Sequence, residues 1–238
     1  MIASIPQRDR VIVGVALSVL ILLAWAYTIR VSISMQYMGA DYMFSMWAVM
    51  MVAMMTPSAA PMVFAVAHMS RSRAGEETPT GSSGAFLLGY VALWTGFSLL
   101  ATVAQTVLSH AKLVSSMGVS TNHYLSAALL LTAGIYQFSP WKHACPAKCR
   151  APLGFLLTEW RSGRRGAFIM GLRHGLYCTG CCWLLMALLF VAGTMNLAWI
   201  AALTVMVLAE KVLPFGGVVS KLLGVVAMLS GIWFLLSQ

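Results

Sequence analysis

Four side chains with sulfur or nitrogen donors lie within nine residues of one largely apolar segment: His174, Cys178, Cys181 and Cys182. On an α-helix, the first three of these fall with Met170 inside a sector of about 80°, and Cys182 lies on its flank. Thiolate, imidazole and thioether groups suit Cu(I), and thiolate with imidazole also suits zinc. The pattern therefore predicts a soft-metal site that favours copper as Cu(I). The alternative is that these cysteines are small apolar residues packed beside glycines.

Methionine is concentrated in a second apolar segment, where ten of the 17 methionines lie between positions 35 and 69. Met50 and Met54 share a helix face with Met43, so we predict a thioether relay that adjoins the thiol site. Pro57 and Pro61 interrupt the same segment and free backbone carbonyls, which are tolerated only against protein or a cavity. The alternative is that methionine fills gaps here as an ordinary apolar residue.

A second pair of cysteines, Cys145 and Cys149, lies in a basic segment together with His143. Lys148 and Arg150 favour the thiolate form of both cysteines, as a metal ligand or a redox pair requires. We therefore include Cys145 and Cys149 among the predicted metal ligands. The alternative is two cysteines at the solvent edge of a basic patch on the membrane surface.

The composition is that of a membrane protein, because only 9% of the 238 residues are charged and 60% are hydrophobic. Soluble domains carry about 25% charged residues. We predict an all-α, polytopic transmembrane bundle of about seven spans, with no nucleic-acid partner despite the net charge of +9. The predicted spans are Val11–Ile29, Met43–Ala67, Ala85–Leu108, Thr121–Ser139, Ala167–Gly193, Leu197–Leu213 and Gly217–Leu236.

Basic residues are distributed very unevenly between the two sides of these spans. Eleven lie at the N-terminus and in the second, fourth and sixth connections, whereas only Arg30 and Lys112 lie on the other side. Positive residues mark the cytoplasmic side, so we predict a cytoplasmic N-terminus in the bacterial inner membrane. We divide the chain into an N-terminal anchor with its outer loop, 1–42, and a metal-binding bundle, 43–238, with a cytoplasmic loop at 140–166.

Charged side chains within the predicted spans indicate function by default. Arg173 precedes His174 in the fifth span, so we expect it to face the bundle interior. Glu210 and Lys211 end the sixth span. Two interpretations of this pair are open: an interfacial anchor with a snorkelling lysine, or a Glu210 that pairs with Arg173 or relays a cation.

Motifs for hydrolysis are missing from the sequence. It has no phosphate-binding loop with a Lys-Ser/Thr ending, and its six acidic residues form neither a Ser-His-Asp set nor a carboxylate pair. We therefore predict no catalytic residues.

The sequence resembles domain-of-unknown-function family 2182, a family of predicted metal-binding bacterial integral membrane proteins. The resemblance covers about residues 43–236. The resemblance rests on five segments: Met46-Trp47 to Thr56-Pro57, Cys145 to Pro152, Gly171 through the Tyr177-Cys178 to Cys182-Trp183 run to Met186, Gly193 to Leu197, and Glu210-Lys211 with Pro214. It implies a bound metal, with copper fitting best. The family's loop has no histidine two residues before its first cysteine, which argues against His143 as a ligand.

We therefore predict an inner-membrane protein that handles Cu(I) by transport, storage or delivery to a membrane copper enzyme. Its expected partners are the lipid bilayer and a copper enzyme or metallochaperone, in an oligomer or a larger complex. Two alternatives stay open. One is a thiol-disulfide oxidoreductase that uses the Cys178–Cys181 spacing, and the other is a structural or assembly subunit of a membrane oxidase.

Overall fold

A computed structural model describes residues 7–34, 40–73, 79–115, 117–140, 142 and 152–237. Within these ranges the chain is helical and forms no β-strand. The helices are α1 (Gln7–Ser34), α2 (Ala40–Arg73), α3 (Pro79–His110), α4 (His123–Tyr136), α5 (Pro152–Glu159), α6 (Gly163–Ala187), α7 (Leu189–Ala192), α8 (Leu197–Val212) and α9 (Gly216–Leu236). The predicted all-α class is confirmed.

Five helical stretches among the described residues are long and apolar enough to cross a membrane. They are Gln7–Ser34, Tyr42–Ser70, Thr80–His110, Gly163–Ala192 and Gly216–Leu236. The other two predicted spans correspond to α4 and α8, which have 14 and 16 residues. A helix needs about 20 residues to cross the hydrocarbon core, and both are shorter than that. Helix α8 has nearly the predicted bounds, whereas α4 is shorter than its predicted span at both ends.

Asparagine caps explain where these two shorter helices begin. The Asn122 side chain accepts hydrogen bonds from the backbone N–H groups of Tyr124 and Leu125 at the start of α4. The Asn196 side chain accepts one from Trp199 at the start of α8. Because a capping side chain satisfies backbone donors that have no partner within the helix, each helix begins directly after its asparagine.

The connections gather at two ends of the bundle. Ser120, after α3, donates its backbone N–H to the carbonyl oxygen of Phe190, after α6, at 2.8 Å. At the other end, Lys142 reaches Glu210 in the last turn of α8, and Ser220 near the start of α9 donates to Gln137 at the end of α4. Helices α4 and α8 therefore run in the same direction, and α9 runs against them.

Glycines allow α3 and α6 to touch backbone to backbone. A Cβ atom on Gly171 of α6 would overlap the carbonyl oxygen of Phe86, and one on Gly89 of α3 would overlap that of Phe168. Small residues at helix contacts are typical of membrane bundles, where association depends on close packing. This contact fixes α6, which carries the cysteines, against α3.

A buried ion pair joins α4, α8 and α9. Lys142 Nζ lies 2.8 Å from Glu210 Oε2, and both side chains are buried. Lys142 also donates to Gln137, which accepts a second hydrogen bond from Ser220 at 2.8 Å. The cluster satisfies charges that would otherwise be costly in an apolar bundle.

The expectation that Arg173 faces the interior and pairs with Glu210 is wrong. Arg173 is exposed and pairs with Glu159 at the end of α5. Position 173 is one residue, about 100° of helix rotation, from the inward-facing His174, so its side chain points out of the bundle. Glu210 pairs with Lys142 instead.

The glycine contact predicts a specific loss of stability. Gly171→Ala and Gly89→Ala force two backbones apart, so each should lower the free energy of unfolding by about 1–3 kcal/mol or more. Gly96→Ala in α3 is the matched control, since a Cβ there meets nothing within 4 Å. Reversible unfolding of the purified chain in mixed micelles measures the difference, and equal stabilities of all three variants would contradict the contact.

Candidate metal centre

Helix α6 places all three of its cysteines inside the bundle. Cys178, Cys181 and Cys182 are free thiols and are no more than 3% exposed. Met170 and His174 lie on the same inward face. The helix face on which the sequence predicts the metal ligands is therefore the buried face of α6.

The three thiols are close together at one turn of α6. Cys181 and Cys182 both donate to the backbone carbonyl oxygen of Cys178, each at 3.0 Å. Residues three and four positions apart are neighbours on a helix, so this geometry follows directly from the sequence spacing. The Cys178 carbonyl oxygen is thus shared by the other two thiols.

The Cys178 sulfur contacts two side chains from other helices. Lys211 Nζ of α8 donates to it at 2.7 Å, and the Tyr90 hydroxyl of α3 lies 3.0 Å from it. One thiol thus has an ammonium group and a phenol as direct neighbours. The ammonium group stabilises negative charge on the sulfur.

These contacts belong to a closed ring of hydrogen bonds across four helices. Lys211 Nζ also donates to the Ser58 hydroxyl of α2 at 3.3 Å. Ser58 donates in turn to the Met55 carbonyl oxygen at 2.9 Å, and Tyr90 donates to the same oxygen at 3.2 Å. We call this set, Met55, Ser58, Tyr90, Cys178 and Lys211, the thiol ring.

His174 is buried among aromatic side chains, one of which is Tyr90 of the thiol ring. Its ring centroid lies 5.7 Å from that of Phe86, 5.8 Å from that of Tyr90 and 5.5 Å from that of Phe155. Its Nδ1 atom is buried and has no hydrogen-bond partner in the described part of the chain. A buried polar atom without a hydrogen-bond partner is unusual, so the Nδ1 atom of His174 is available to bind a ligand.

Met50 and Met54 are buried in the same core as the three cysteines. Met46, Met51 and Met55 are buried with them, so the first half of α2 contributes five thioethers to this core. The Met43 sulfur, nearer the start of α2, accepts a hydrogen bond from Thr106 at 3.9 Å. The predicted thioether face therefore lies in the bundle interior, in the same buried cluster as the cysteines of α6.

The predicted ligands do not all converge on one point. Among the described residues, no group of three His, Cys, Asp or Glu side chains is arranged to hold a metal ion. Cys145 and Cys149 lie outside those residues. Closing thiols around a metal therefore requires Cys181 or Cys182 to turn away from the Cys178 carbonyl.

Sequence reasoning missed three members of the thiol ring. Tyr90 and Ser58 give no signal in a single sequence, because their role depends on how α2 and α3 pack against α6. Lys211 was noticed only as an anchor or as the neighbour of Glu210. Its proximity to the buried cysteines arises from the packing of α8 against the bundle.

The donor chemistry of this region fits a soft metal. Three thiols and several thioethers lie together in an apolar interior, and such sulfur ligands select Cu(I). A family model described as PpoB2, copper chaperone, matches residues 44–234. The chain belongs to this copper chaperone family. No curated protein and no solved structure matches it.

The copper chaperone family agrees with the metal-binding character that the resemblance implied. The match spans α2 to α9 and includes the three cysteines of α6, the thiol ring and the buried thioethers of α2. Helix α1 lies outside it. The match does not carry the numbered family name, which stays a resemblance.

Burial of the three thiols predicts slow chemical modification. In a Cys145→Ser/Cys149→Ser background, the remaining cysteines of the folded chain should react with N-ethylmaleimide far more slowly than after denaturation in SDS. Arg164→Cys in the same background is the positive control, since Arg164 is exposed at the start of α6. Mass spectrometry of timed samples gives the rates. Rapid labelling of Cys178, Cys181 and Cys182 in the folded protein would contradict the buried arrangement.

Proposed function

We propose that this chain is an integral membrane copper chaperone that binds Cu(I) with thiols of the cluster Cys178, Cys181 and Cys182 and delivers it to a membrane copper enzyme. The observation that carries the proposal is three free, buried thiols on one turn of α6 in a chain of a copper chaperone family. Copper is the cargo of such a protein. Thiolates in an apolar interior favour monovalent copper over harder cations.

Nearby donors extend this site on two sides. His174 has an unpaired Nδ1 atom on the same face of α6, one turn before Cys178, and supplies a nitrogen ligand when the metal binds. Met50 and Met54 supply thioethers along α2 that hold Cu(I) weakly and pass it to or from the thiols. Zinc is the alternative metal, since thiolate and imidazole suit it too.

Cys145 and Cys149 are proposed as the cytoplasmic exchange pair. The proposal rests on their sequence context, in which basic neighbours favour thiolates. The described residue that precedes them is Lys142, which is held at the ends of α4 and α8 by Gln137 and Glu210.

The proposed topology has seven crossings with a cytoplasmic N-terminus in the bacterial inner membrane. The alternation of the connections between two ends of the bundle supports this arrangement, with α4 and α8 as shortened crossings. The uneven distribution of basic residues supports its direction. We propose residues 1–42 as the anchor and 43–238 as the metal-binding unit.

Metal analysis of the purified full-length chain tests the central claim. The wild-type protein loaded with Cu(I) under reducing conditions should retain stoichiometric copper after desalting, and Cys178→Ser/Cys181→Ser/Cys182→Ser should lose it because serine is a poor ligand for Cu(I). Equal, substoichiometric copper in both proteins would overturn the proposal. A disulfide or mixed disulfide trapped in cells, insensitive to copper, would favour an oxidoreductase. Co-purification with an oxidase and no metal would favour an assembly subunit.

The thioether relay makes a separate prediction about rate. Met50→Leu/Met54→Leu removes two sulfur donors but keeps apolar volume, so copper stoichiometry should hold while transfer to a chelating acceptor slows severalfold. Met62→Leu is the matched control, because Met62 is equally buried in α2 but packs in a different cluster, near Phe86 and Phe155. Stopped-flow absorbance of bathocuproine disulfonate follows the transfer. Identical rates in the two variants would remove Met50 and Met54 from the copper path.

A further inference from the structure

Lys211 is a positive charge directed at the cysteines. Its side chain is half-buried, and its Nζ atom lies 2.7 Å from the Cys178 sulfur and 3.3 Å from the Ser58 hydroxyl. These two groups are its hydrogen-bond partners in the described part of the chain, and neither carries a fixed negative charge.

The neighbouring carboxylate is engaged elsewhere. Glu210 precedes Lys211 directly, but its two oxygens accept from Lys142 Nζ at 2.9 and 2.8 Å. Lys142 and Glu210 thus balance one another at the ends of α4 and α8. The ammonium group of Lys211 contacts the Cys178 thiol of α6 instead of Glu210.

Metal binding changes the charge of that region. A thiol that ligates a metal gives its proton to the solvent and becomes a thiolate. One Cu(I) ion with two thiolates therefore carries a net charge of −1. An uncompensated charge is strongly disfavoured in an apolar bundle, but one ammonium group in contact makes the whole centre neutral.

Building on the proposed function, we propose that Lys211 is the built-in counter-ion of a two-thiolate metal centre, formed by Cys178 and one neighbouring thiol, and that it selects a monovalent over a divalent metal. The ammonium contacts Cys178 directly, and Cys181 and Cys182 lie three and four residues further along the same helix face. Lys211 itself does not ligate the metal. It acts through the charge that it places beside the thiolates.

The same charge disfavours a divalent ion at these two thiolates. A divalent metal with two thiolates is already neutral, so Lys211 would then add an unbalanced positive charge. Removing the lysine charge should therefore change the affinities for monovalent and divalent metals in opposite directions. A merely structural role of Lys211 would weaken the binding of both.

Lys211→Met tests this with Ag⁺ as a redox-stable monovalent probe and Cd²⁺ as the divalent probe. Both metals are titrated by competition with a chelator into the full-length chain in nanodiscs. We expect Lys211→Met to weaken Ag⁺ binding by about tenfold or more while Cd²⁺ binding is retained or becomes tighter. Lys211→Arg should keep the wild-type preference because it keeps the charge. Lys221→Met, at an exposed position of α9, is the matched control and should behave as wild type.

The outcomes separate this inference from the proposed function. Wild-type protein that binds neither Cu(I) nor Ag⁺ would overturn both. Wild-type protein that binds Cu(I), with the same Ag⁺ to Cd²⁺ ratio in Lys211→Met, would overturn the counter-ion role alone. If Lys211→Met does not fold, Lys211→Gln, which keeps a donor for Ser58, takes its place under the same criteria.

Discussion

A charge inside an apolar helical bundle must have a partner, and this requirement organises the end of the bundle at which α8 ends. The last turn of α8 carries two consecutive charged residues that point to different partners. Glu210 binds Lys142 and thereby ties α8 to α4 and α9. Lys211 reaches Cys178 and Ser58 and thereby ties α8 to α6 and α2. One helix end thus connects the buried ion pair with the thiols, and a shift of α8 would disturb both.

The thiol ring surrounds the Cys178 sulfur with hydrogen-bonding groups from two other helices. The Cys178 sulfur already contacts an ammonium group and a phenol, and its own carbonyl accepts from the two neighbouring thiols. Each of these contacts is a hydrogen bond that a metal–sulfur bond can replace or accompany. A chaperone has to bind and to release, and partners that can be exchanged in this way serve both steps.

The sequence predicts local geometry well and packing between helices poorly. Helix periodicity is set by covalent geometry, so the shared inward face of His174, Cys178 and Cys181 follows from residue numbers alone. Tyr90 and Lys211 join Cys178 only through the packing of α3 and α8, for which spacing carries no information. The prediction that Arg173 faces inward failed for a related reason, because its partner Glu159 lies on α5, outside the apolar spans. The predicted span that became α4 was too long partly because the Asn122 cap begins this helix at His123, whereas α8 begins at Leu197 as predicted.

The backbone contact between α3 and α6 has a kinetic consequence for the cargo. Glycines bring these two helices together without intervening side chains just before the cysteines, and Tyr90 of α3 contacts the Cys178 sulfur. Ligand exchange on Cu(I) proceeds by attack of an incoming donor, so a metal bound as proposed at these buried thiols would be shielded from small thiols in solution. The residence time of copper would then depend on how often the helices separate, and a docking partner that opens them could control release.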